Sequence, residues 1–207
     1  MTNEDLMNFE FNSIDRLEVY RSRWGDPVDS STVKIGGGRS IKIHSFLITL
    51  ATKEINDGNN FYALITDGLS DTAVVADIPR TEFIWYVNKP EDVHYNWLSF
   101  ISTIHIVDKV DLFHRTLPIV PPPCNQQPLS PKSLLSSATV ITPVLRRDMV
   151  SFNVQGAETY TLLVLPITES ERAYLQNRND NFGKALADLL EPNQHPVVLN
   201  PLRKSYV

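Results

Sequence analysis

FYALITDGLSD, residues 61 to 71, and EFIWYV, residues 82 to 87, are the stretches on which the reading of the fold turns. Phe61 to Ile65 is an apolar run rich in aromatic and branched residues, as a strand requires. Asn56, Asp57, Gly58, Asn59 and Asn60 just before it supply turn chemistry. Asp67-Gly68 then breaks the run, and Glu82 to Val87 reads as the next strand. Two strands around a tight turn follow, with Gly68 at positive φ and the Ser70 and Asp71 side chains bonded to local backbone. Gly68-Leu69-Ser70 also invites comparison with a nucleophile elbow, in which a serine sits between two glycines on a strand-to-helix turn. Here Thr72 replaces the second glycine, and Ala73, Val74 and Val75 give no helical start.

On the N-terminal side, Ser13 precedes Ile14, Leu17, Tyr20 and Trp24 at three- and four-residue spacing, ended by Gly25, Asp26 and Pro27, which predicts a helix over 14–24. Val33 and Ile35, the Gly36-Gly37-Gly38 tip, and Ile41 and Ile43 read as a hairpin, with a separate buried strand through Phe46, Leu47, Ile48 and Leu50. On the C-terminal side, Val93, Trp97, Phe100, Ile101, Ile104 and Val107 share one helical face, so a long helix over 91–108 is expected, with Glu91 and Asp92 at its positive end. Strands are expected at 117–120 and 138–145, and a hairpin pairs 149–154 with 160–165 across Gln155 and Gly156. Thr168 and Glu171 form a capping box that starts a helix at Glu169, fading near Asn177. Phe182, Leu186, Leu189 and Leu190 make a further apolar stripe stopped by Pro192, and Val197 to Leu199 reads as a closing strand. Helices and strands mix without βαβ alternation, so the class is α+β: a mixed sheet flanked by helices in a single domain over 1–207, its core about 10–205, with a Pro/Ser-rich loop at 121–137.

Composition excludes several functions. Lys+Arg 19 against Asp+Glu 24, a net charge of -5, lacks the clustered cations that phosphate backbones demand, so no nucleic acid is expected. One cysteine, Cys124, precludes an intrachain disulfide and a cysteine-built zinc cage. No apolar run approaches the roughly 20 residues of a membrane helix, and the start MTNEDLMNFEFNS lacks the order of a secretory signal. A cytoplasmic protein without cofactors follows as the expectation. Pro 14 exceeds Gly 8, and five of those prolines lie between Pro121 and Pro131, a stiff segment suited to connecting strands or to meeting a partner.

No catalytic constellation emerges from the residues. His94 and His105 stand eleven apart on one helix, too far for two ligands of one metal. Asp108, Asp111 and His114 follow that helix and read as capping or surface groups, while His44 and His195 read as structural. Gly36 to Arg39 lacks the Lys-Ser/Thr pair of a phosphate loop and reads as a flexible hairpin tip. Cys124 has no basic neighbour to stabilise a thiolate. Arg146-Arg147 and Arg203-Lys204 are short basic pairs of the kind found on solvated faces. A ligand-binding or hydrolytic alternative would need Ser70, Asp71, His105 and His114 within hydrogen-bond reach of one another.

Three stretches together resemble the suppressor of fused domain family. FYALITDGLSD (61–71) with EFIWYV (82–87) resembles its strand, Gly-x-Ser turn and Glu-led strand; VLPITESE (164–171) resembles its strand-to-helix step; and HPVVLNPLRKS (195–205) resembles its closing strand and Arg-x-Ser tail. Residues 98–123 correspond loosely to its middle helix and following strand, although LFHRTLP (112–118) lacks the family's glycine, and the 121–131 segment has no counterpart. The resemblance implies an α+β domain that holds another protein and performs no chemistry, with Gly68, Ser70, Asp71, Glu82, Thr168, Glu171, Arg203 and Ser205 as its motif residues. In animals such a domain sequesters a transcription factor. A chain one domain long is more similar to the bacterial members, for which the resemblance implies an immunity protein neutralising a toxin.

Overall fold

The computed structural model describes residues 15–49, 60–72, 79–121, 124, 126–143, 150–194, 198 and 200–207. The turn read at Asn56 to Asn59, the basic pair Arg146-Arg147 and His195 lie outside these residues, as do both ends of the closing strand read at Val197 to Leu199.

Helix α1 occupies residues 15–24, where Gly25 at φ 80 ends it. Strand β1 (Asp29–Ile35) turns through Gly36–Gly38 into β2 (Arg39–Ile48), which pairs with β3 (Phe61–Asp67). The expected hairpin is present, but its second arm and the expected separate strand are one ten-residue strand: its odd residues Ile41 and Ile43 face one core while His44 and Phe46 face the other, so both faces are covered and alternation is hidden. Nor is the glycine tip a free loop. It forms a 3-10 turn against the long helix, where Gly36 N–H donates to Thr103 Oγ1 at 3.1 Å and a Cβ on Gly36 would stand 2.7 Å from Val107 Cγ2.

A one-turn helix α2 (Leu69–Thr72) follows β3; Ala73, Val74 and Val75, read as giving no helical start, lie outside the described residues. Strand β4 (Thr81–Val87) pairs antiparallel with β3, and α3 (Asp92–Val107) follows it. Strands β5 (Arg115–Pro118) and β6 (Leu135–Ile141) begin two or three residues earlier than expected, so the proline-rich loop ends before Leu135, and Ser136 and Ser137 belong to the sheet. Strand β7 (Ser151–Val154) and β8 (Ala157–Thr168) close through Gln155 (φ 50) and Gly156 (φ 80), the paired positive φ values of a two-residue hairpin. Helix α4 (Glu169–Gln176) starts at the expected capping box, with Glu171 N–H on Thr168 Oγ1 and Thr168 N–H on Glu171 Oε2; α5 (Phe182–Leu190) comes last.

The eight strands form a mixed sheet in the order β1-β2-β3-β4-β8-β6-β5, with β7 beside β8; β4 and β8 are its parallel pair. Every residue of β4 is buried, because the sheet separates two cores. On one face Phe83 and Trp85 meet Trp97, Leu98 and Ile101 of α3. On the other, Ile84 and Tyr86 share a core with Tyr20 of α1, Leu175 of α4, and Phe182, Leu186 and Leu189 of α5. The described part of the proline-rich segment is fastened to this body: Trp97 Nε1–H donates to Gln127 O at 2.8 Å, and Gln126 N–H to Ile119 O at 3.0 Å. No helix among the described residues is long and apolar enough to cross a membrane.

Candidate functional site

The turn after β3 is built around one carboxylate. The register Ile65 opposite Ile84 brings the start of β4 beside the end of β3, and Glu82 projects there to the α1 side with no exposure to solvent. Its Oε1 accepts from Gly68 N–H (3.1 Å), Ser70 N–H (3.0 Å) and Ser70 Oγ (2.8 Å); its Oε2 accepts from Thr66 Oγ1 (2.6 Å) and Leu69 N–H (3.3 Å). Gly68 at φ 106 lets successive amides converge, a backbone cradle for an anion, and Glu82 fills it. Ser70 therefore binds a side chain across the sheet rather than the local backbone expected of it. Valine at position 68 should cost about 1–3 kcal/mol through the strained φ; a thermal melt of Gly68→Val matching the wild type would refute that turn.

Arg16, absent from the sequence-derived site, supplies the counter-charge. Its Nε–H donates to Asp67 Oδ1 at 2.5 Å, Nη1 and Nη2 each reach Asp71 at 2.7 Å, and Nε lies 3.7 Å from Glu82 Oε1. Asp71, too, is thus bonded to a distant side chain. His44 stands between Ser30 Oγ (2.7 Å) and Asp67 Oδ2 (3.0 Å), and the Tyr20 hydroxyl donates to Thr66 O at 3.1 Å. Burial pushes the Glu82 carboxyl up to about 7, against the pull of Arg16. The signal for Arg16 was present but ambiguous: it lies four residues before Tyr20, so a cation shares the helix's buried side.

The other four motif residues form a second cluster. Glu171, fully buried, accepts a two-pronged pair from Arg203 (Nη1 to Oε1 2.6 Å, Nη2 to Oε2 2.7 Å) and a bond from Tyr206 N–H at 2.9 Å. Ser205 Oγ sits 3.0 Å from Thr168 Oγ1 and 2.8 Å from Ser170 Oγ, and the Arg203 guanidinium lies 4.4 Å from the Tyr206 ring centre. The tail is thereby fixed to the start of α4. Burial alone would raise the Glu171 carboxyl, but Arg203 and the two amides outweigh it and hold it below the usual carboxylate range.

The four residues of the ligand or hydrolase alternative are not brought together. Ser70 and Asp71 belong to the Glu82 cluster, on the α1 side of β4. His105 packs on Phe83 from the α3 side with its Nδ1 2.9 Å from Val110 O. His114 stacks between Phe113 and Phe182. Asp111 Oδ1 accepts from Phe113 N–H, the capping role expected of it. Among the described residues no three His, Cys, Asp or Glu side chains converge as metal ligands. Among the described residues a cleft of about 120 Å³ opens beside Trp85, His94, Leu129 and Pro201, and a more open one of about 540 Å³ lies beside Phe113, His114, Arg115, Phe182 and Lys184.

The fold and the two clusters define an α+β domain whose charged motif residues bind one another inside the molecule. The family model of the suppressor of fused protein (SUFU) matches residues 37–204, and the chain belongs to that family. No curated protein matches the sequence significantly. Among solved structures, a protein described as a SUFU homolog from Neisseria gonorrhoeae FA 1090 aligns with a TM-score of 0.63 and 15% identity over 97% of this chain and 98% of that one. The Sufu-Fu complex gives 0.66 and 16% over 93% and 90%. Drosophila Suppressor of Fused gives 0.67 and 14% over 93% of this chain and 50% of that chain, so this chain spans about half its length. At these identities the likeness is one of fold.

Proposed function

We propose that the chain is a non-catalytic protein-binding domain whose partner is a protein toxin, neutralised by direct binding in the cytoplasm of a bacterial cell that makes both. The observation that carries the non-catalytic part is the commitment of Ser70, Asp71 and Glu82 to one another and to Arg16, which leaves the Ser70 hydroxyl a buried donor to a carboxylate. A nucleophile needs a base within reach and an approach for substrate. Family membership supports a protein partner, since the Sufu-Fu complex is an assembly of a related fold with another protein. Strand β1, a terminal strand of the sheet, offers backbone groups along one side to which a partner strand could add.

Affinity capture with the purified chain against the products of its neighbouring genes tests the reading. Retention of a toxin, with loss of that toxin's activity in the complex, is the expected result. Retention of none of those products would overturn it.

A further inference from the structure

The wider cleft carries features that neither motif cluster uses. His114 is held at φ 55, a conformation non-glycine residues seldom adopt, by its N–H on Val140 O at 2.9 Å. That backbone stacks its ring 3.9 Å from Phe113 and 5.3 Å from Phe182, centre to centre, while Phe113 remains 38% exposed. Around this stack stand Arg115, from the first position of β5, and Lys184, from the first turn of α5. Both side chains are exposed, and neither forms a hydrogen bond or ion pair among the described residues, nor do the His114 ring nitrogens. Among the described residues Asp180 lines the cleft, and Asp111, whose Oδ1 accepts from Phe113 N–H, stands near the His114 ring. Two cations and an open aromatic surface therefore gather in one recess of a chain whose net charge is -5.

We propose that this cleft binds an acidic segment of a partner protein, with a carboxylate held by Arg115 and Lys184 and an aromatic side chain laid on Phe113. The inference rests on the protein-binding reading and adds a place and a partner chemistry. Charge complementarity selects the occupant: a basic segment would meet two cations that no carboxylate among the described residues pairs, and a neutral one would leave both unpaired. The ring stack supplies the apolar half of the recognition, since an aromatic side chain buries large area at low cost in conformational freedom. The volume, about 540 Å³, lies within the roughly 300–1,000 Å³ of ordinary ligand sites.

The test uses the full chain and a fluorescein-labelled peptide of alternating Glu and Phe, read by fluorescence anisotropy, beside the same peptide with Gln for Glu. The Glu peptide should bind at least about tenfold more tightly, and this preference should shrink between about 50 and about 300 mM salt. R115E combined with K184E should weaken it by about tenfold or more, whereas K89E, an exposed charge reversal just after β4, should leave it unchanged. Arg115 and Lys184 are exposed, so the double variant should retain the wild-type melt. Equal binding of the two peptides, or equal affinity in the double variant, would overturn the proposal. Capture of neighbouring gene products separates the two readings. A toxin retained equally by wild type and by the double variant sinks the cleft alone, and a wild type that retains none sinks the protein-binding function.

Discussion

Arg16→Ala should destabilise the fold by about 3–5 kcal/mol, lowering the melting temperature by roughly 10 °C, and more at pH 8 than at pH 5. Arg16 is 1% exposed and answers three carboxylates, so its removal leaves buried negative charge without a partner. The pH dependence follows from Glu82, whose pKa in the fold is raised from 4.5 to about 7. A carboxyl group with a raised folded pKa holds its proton longer in the fold than in the unfolded chain. Its contribution to stability is therefore full below about pH 4.5 and is lost as pH rises through about 7. Without the Arg16 cation the carboxyl climbs further, and ionising it costs more. Arg16→Lys keeps the charge but loses the fork that spans Asp67 and Asp71, so it should recover only part of the loss. Denaturation followed at both pH values checks this; equal deficits at pH 5 and pH 8 would mean that Arg16 does not act through the ionisation of Glu82.

Arg203→Ala should cost about 3 kcal/mol, a deficit that also grows as pH rises, although for the opposite reason: the Glu171 carboxyl is held below its ordinary range and not above it. Glu171 is fully buried, and its pKa in the fold is depressed, so its contribution is present above the unfolded value of 4.5 and is lost as pH falls through the folded one. Removing Arg203 withdraws that contribution, and the deficit should be larger at pH 7 than at pH 3. The tail should loosen as well, because Tyr206 N–H and Ser205 Oγ hold it beside the same carboxylate and the Thr168 hydroxyl. Faster hydrogen exchange at the Tyr206 amide, or proteolysis at residues 200–207, reads this out. A variant that melts like the wild type with a protected tail would show the clamp to be dispensable.

Local pattern was legible where one element serves one core. The spacing Leu17, Tyr20, Trp24 located α1, the apolar face from Trp97 located α3, and Thr168 with Glu171 located the start of α4 to the residue. It failed where both faces of an element are covered. In β2 the residues of two cores interleave and no period of two survives, so one strand read as two. The start of β6 was missed because its serines read as loop, whereas Ser137 is buried and donates to Glu169 Oε2.

The residues of the Gly68 turn announced a strained glycine, a serine and two acids, and sequence alone established that they belong together in order along the chain. What each side chain does was decided by tertiary structure. Arg16 is 51 residues from Asp67 and 55 from Asp71, and Arg203 is 32 from Glu171. Pairings at such separations depend on which strands are neighbours, a property of the whole sheet that no window of sequence contains. Chain-local chemistry set the turns, caps and helical faces; the cost of burying charge without a partner then selected the one packing in which α1 and the tail deliver their arginines to those carboxylates.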